Sequence, residues 1–163
     1  MRPEPVAPPM AGESLLHPVA LAALALLLLN DHVLKQRFPG WWTGKLSDLA
    51  GMALFPLLLM GLHEAAAGAW TALPPPGRRA LVGYAIGTAL AFAAIKCWAP
   101  AAHGYRYAMG AVRWPLGALS SMMEGRPLAG VARVSLVQDP SDLVALPFTL
   151  PAVAARWRAV GAR

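Results

Sequence analysis

Cysteine is all but missing from this 163-residue sequence, and charge is scarce. The single thiol, Cys97, excludes an intrachain disulfide and any metal centre built from several cysteines. Lys96 beside it is the kind of neighbour that lowers a thiol pKa, but a lone cysteine near the end of an apolar run reads as packing. Charged residues make up 13% of the chain, about half the share with which a soluble domain covers its surface. Acids are rarest: eight against fourteen Lys and Arg, for a net charge of +6. In a soluble protein that balance would suggest nucleic acid. Here no nucleic-acid-binding motif accompanies it, and the arginines flank apolar runs, as they do when they face lipid phosphates. No His-Glu-x-x-His is present, and His63-Glu64 lacks its second histidine, which excludes the common zinc-protease signature.

What the chain has instead is hydrophobic length. Residues 1–14 are proline-rich and polar and read as a disordered lead-in to a single domain over 15–163. Four apolar segments follow, at about 15–35, 46–70, 80–98 and 141–157, each near the twenty residues that a bilayer crossing needs. The first has Arg2 upstream, as a signal peptide would, but it ends in Asn-Asp-His-Val-Leu-Lys with no small-x-small cleavage site. Pro56 should kink the second. Gly83 and Gly87, four apart in the third, line one face that suits close helix approach and is expected to face inward, or to pair with a second copy; chance in a Gly/Ala-rich helix is the plain alternative. Residues 101–138 interleave His103, Tyr105, Arg106, Arg113 and Trp114 with apolar residues, as a segment lying in the headgroup layer would. Within it, residues 131–138 look strand-like by alternation. His63 and Glu64 read as a solvated pair near the headgroups, and Arg156 as one of the lipid-facing arginines. The fold class expected is an all-helical integral membrane protein with about four transmembrane helices and an interfacial segment between the third and fourth.

If the spans alternate in direction, Asp31, His32, Lys35, Lys45, Ser47, Asp48, Lys96, Asp139 and Asp142 share one membrane face. Charge at a lipid boundary is costly unless paired or used, so their convergence suggests a site. Asp31 and Lys35 are four apart and can pair on one helix face. Asp139 before Pro140 suits a helix N-terminus, Asp142 falls in the first turn, and Thr43 or Ser47 offers a cap to the second helix. A metal held by His32 and the aspartates is opposed by three lysines on the same face, so no metal ligands are assigned and no cofactor is indicated. An anionic lipid or lipid-linked ligand fits better, with Lys35, Lys45, Lys96, Asp31, Ser47 and Asp142 binding and Asp48 or His32 available as general base in a hydrolase or transferase. Proton or ion coupling through the carboxylates, and a purely structural salt-bridge clamp between helices, are the alternatives.

Residues 30–35 (NDHVLK), 44–51 (GKLSDLAG) and 139–143 (DPSDL) together resemble a group of small bacterial multi-span membrane proteins of no established activity. The resemblance implies only a bacterial multi-span protein and brings no function with it; the location expected is the bacterial inner membrane. Orientation is nearly balanced. Six arginines stand on the face opposite the cluster against eight basic residues on the cluster face, and setting aside the three lysines leaves six against five, a slight lean toward a cluster facing outward.

Overall fold

The computed structural model of the chain describes residues 11–70, 72–128 and 130–161. A 3-10 turn at Glu13–Leu16 precedes α1 (Pro18–Arg37). Then come α2 (Trp41–Ala69), α3 (Arg78–Cys97) and α4 (Ala99–Met123), and a 3-10 stretch over Pro140–Phe148 runs into α5 (Thr149–Gly161). Among the described residues there is no strand. Four stretches of the described residues are long and apolar enough to cross a bilayer: Pro18–Arg37, Trp41–Ala69, Arg78–Cys97 and Pro140–Val160. The residues fall into two compact units, Met1–Leu90 with Val144–Arg163, and Ala91–Leu143.

In the first unit, α1 is a run of Ala and Leu, both strong helix formers. It opens with His17 accepting the Val19 N–H at 3.2 Å through Nδ1 and with Pro18 at the first helical position. α2 begins at Trp41, earlier than hydropathy alone suggests, and carries Pro56 without interruption. Pro56 has no N–H for the Met52 carbonyl, a loss tolerated in apolar helices when neighbours surround the site, and Pro56 is fully buried. Ala20, Leu57 and Ala152 pack where α1, α2 and α5 meet, and Met60, Leu81 and Val160 join α2, α3 and α5. Gly61 is required by this packing, since a Cβ there would lie 2.5 Å from Leu15 Cγ. The outward surfaces stay apolar: Leu24, Leu28, Phe55, Leu62, Ile86 and Leu90 are all exposed.

Three expectations change here. Residues 1–10 of the expected lead-in lie outside the described residues, but Glu13 and Ser14 belong to an ordered turn. Neither Thr43 nor Ser47 caps α2: Thr43 Oγ1 donates to the Gly40 carbonyl at 2.8 Å, and Ser47 lies two turns into the helix. The Gly83/Gly87 face is not turned inward, because both glycines are exposed and a Cβ on either would meet nothing within 4 Å.

In the second unit, the expected headgroup connection contains a 25-residue helix. α4 has Pro100 in its first turn, where a missing N–H costs nothing, and it passes through Pro115. It stops at Gly125, whose φ of 65° is the left-handed conformation that favours glycine. The Gly125 N–H reaches the Met122 carbonyl at 3.3 Å and the Arg126 N–H the Ser121 carbonyl at 2.8 Å, a Schellman closure that turns the chain back along α4. Residues 131–138 form no strand, correcting the reading from alternation. A ladder needs a neighbouring strand, and this segment lies along a helix. There the Val134 N–H donates to the Arg106 carbonyl at 3.2 Å, and Arg106 Nη2 donates to the Leu136 carbonyl at 2.7 Å.

Candidate functional site

The end of α1 is where the expected polar residues are first assembled. After twelve apolar residues, Asn30–Leu34 widens into a π turn in which the Lys35 N–H bonds back to the Asn30 carbonyl, five residues earlier. Single π turns inside α-helices often mark functional sites, because they re-aim side chains. Asn30 is fully buried, and its Nδ2 donates to the Thr43 carbonyl at 2.6 Å and to Ser47 Oγ at 2.7 Å. Ser47 Oγ–H passes the chain on to Asp31 Oδ1 at 2.8 Å, and Lys35 Nζ donates to the same oxygen at 2.6 Å. Asn30, Ser47, Asp31 and Lys35 thus form one continuous hydrogen-bonded path from a buried amide to an exposed ion pair. Asn30 Oδ1 is buried without a hydrogen-bond partner.

The other expected residues are distributed around this path and in the second unit. His32 is exposed. Lys45 is buried with its Nζ 4.8 Å from the Trp41 ring centre, a cation–π distance. Asp48 is half-buried, one residue beyond Ser47. In the second unit, Lys96 donates to Asp142 at 2.6 Å with both side chains about nine-tenths buried, and the ammonium also sits 5.3 Å from the Phe92 ring. Asp139 acts as a cap, with Oδ1 accepting the Ser141 N–H at 2.9 Å. Among the described residues no three His, Cys, Asp or Glu side chains are grouped so as to hold a metal ion.

A second network in the first unit was not anticipated from the sequence. Glu64 is buried on α2, not solvated beside His63; its carboxylate accepts the Ser14 N–H and the Ser14 hydroxyl, both at 2.8 Å. Arg156 of α5, 2% exposed, donates to Glu64 at 3.0 Å and to Glu13 at 2.8 Å. The reading of Arg156 as lipid-facing is therefore corrected: its guanidinium ties the first turn, α2 and α5 together. His63 belongs to a separate set, with Nδ1 2.7 Å from the Tyr84 hydroxyl and Nε2 3.1 Å from the Pro74 carbonyl. The sequence held one signal for this network: an acid and an arginine inside otherwise apolar helices, each too costly to leave unpaired.

No family model, curated protein or solved structure matches this chain.

Proposed function

We propose that the chain is a multi-pass membrane protein whose charged clusters clasp its helices, so that it serves as a structural or accessory membrane subunit. The single observation that carries this reading is how the basic groups in or beside the apolar helices are used. Lys96 of α3 meets Asp142 of the 3-10 stretch at 2.6 Å and Arg156 of α5 meets Glu13 and Glu64 at 2.8 and 3.0 Å, each joining separate elements, while Lys35 pairs with Asp31 within α1 at 2.6 Å. Lys35 and Lys96, both suggested as part of an anion site, are thus engaged by protein carboxylates, which leaves less of their charge for a ligand. Exposed Leu, Ile and Phe along four bilayer-length helices support the membrane setting. The resemblance to small bacterial multi-span proteins supports the bacterial inner membrane as its location.

Alkaline carbonate extraction of membranes tests the first half of this reading: the chain stays in the pellet, and release into the supernatant would overturn it. Lys96→Gln tests the second half. Removing one member of a buried pair costs on the order of 3–5 kcal/mol, so the midpoint of thermal unfolding in detergent falls by many degrees. An unchanged midpoint would mean the pair is not a clamp.

A further inference from the structure

α4 and the chain that returns along it form an open groove of about 1070 Å³ within the second unit, lined by Arg113, Arg126 and Arg133 together with Trp114 and Ser121. Small residues make it concave: Gly110, Gly117 and Ala118 form its floor. At Gly110 a Cβ would run into the Ala132 carbonyl oxygen, so the close approach of the returning segment depends on that glycine. The walls are held in place. The Schellman closure at Gly125 starts the return, and Arg106 grips the segment through both its carbonyl and its guanidinium.

The electrostatics of this groove differ from those of the lysine pairs. Of its three guanidiniums, Arg126 is paired with Glu124 at 2.5 Å. Arg113 and Arg133 make no ion pair among the described residues, and Arg133 is stacked 4.3 Å from the Tyr107 ring, which fixes its position without neutralising it. Guanidinium forks match phosphate oxygens in a bidentate manner, and fixing the fork lowers the entropy lost on binding. The opposite side of α4 exposes Val112, Leu116, Leu119 and Met123, an apolar stripe that suits the acyl layer.

We infer that this arginine groove binds a phosphate-bearing anion, with Arg113 and Arg133 as its principal ligands. The phosphate can belong to an anionic lipid headgroup or to a soluble phosphate. The lipid source rests on the membrane reading above, but the site itself does not.

The test uses the full chain in neutral detergent, with phosphatidylglycerol as one probe and inorganic phosphate as the other, and binding followed by native mass spectrometry. Arg113→Gln with Arg133→Gln weakens binding of whichever probe binds by about tenfold or more, as expected for charge-assisted contacts. Arg79→Gln, which removes one charge outside the groove, leaves binding unchanged. Glu124→Gln releases Arg126 and tightens binding about threefold, a gain that unfolding cannot imitate. Binding of phosphatidylglycerol alone identifies a headgroup; binding of inorganic phosphate with the same arginine dependence identifies a soluble source, and either supports the site. No binding of either probe, no loss in the double variant, or an equal loss in Arg79→Gln overturns it. The phosphate arm needs no bilayer, so it stands or falls independently of carbonate extraction.

Discussion

Two polar networks in the same unit, one at Glu64 and one at Asn30, contrast in how deeply their charges lie. At Glu64 both members of the principal ion pair are nearly sealed, with side-chain exposures of 3% for Arg156 and 1% for Glu64. At the end of α1 the corresponding pair, Asp31 and Lys35, is 44% and 40% exposed, with Asn30 and Thr43 buried behind it. The partners also differ in origin. Asp31 and Lys35 lie one helical turn apart and meet wherever α1 forms, whereas Glu64 and Arg156 are 92 residues apart and meet only in the folded chain. A local, solvated pair decorates a helix; a distant, sealed pair specifies how helices assemble.

The contrast breaks most visibly at Glu64. Glu64→Gln leaves Arg156 without its most deeply buried counter-charge and should destabilise by about 3–5 kcal/mol, read as a lowered unfolding midpoint in detergent. Replacing Arg156 by Met as well should recover part of that loss, because no buried charge is then stranded; a double variant as unstable as the sum of the singles would deny the coupling. Asn30→Ala comes next. It removes a buried hydrogen bond to the Thr43 carbonyl and a part-buried one to Ser47, a loss of about 1–3 kcal/mol that the same midpoint would register. Lys35→Gln is milder still, at about 0.2–1 kcal/mol, and should fade as salt is added. If it equalled Glu64→Gln, exposure would not be what separates the two networks. Gly87→Ala runs the other way: it adds a methyl group to open space inside α3 and, by cutting the backbone freedom of the unfolded chain, should raise the midpoint by the equivalent of about 0.4–1 kcal/mol. A lowered midpoint there, with a change in oligomeric mass, would point to a second copy on that face.

Much of the architecture was legible because it is written in local composition. A helix crossing an apolar layer must satisfy its own backbone, so hydropathy over a twenty-residue window suffices to find α1, α2, α3 and the final stretch. The Asp31–Lys35 pair and the Asp139 cap were readable for the same reason, being set by spacings of four residues and two. Reading fared worse where local pattern imitated another structure. Alternation over 131–138 looked like a strand, yet the segment lies along α4. Aromatic and basic residues over 101–138 suggested a segment in the headgroup layer, but not that its first part, Ala99–Met123, is one long helix with an apolar stripe. Gly83 and Gly87 formed a motif that no neighbour among the described residues receives.

The sequence by itself determined the helices, their apolar faces and the stop at Gly125, since each depends on residues within a few turns of one another. Only the tertiary structure decided that Ser14 and Glu13 reach Glu64 and Arg156, that Asn30 is sealed against Thr43 and Ser47, and that Arg113 and Arg133 line one groove. Those outcomes depend on which helix faces meet, and a charge carries no record of its distant partner until packing excludes water around both.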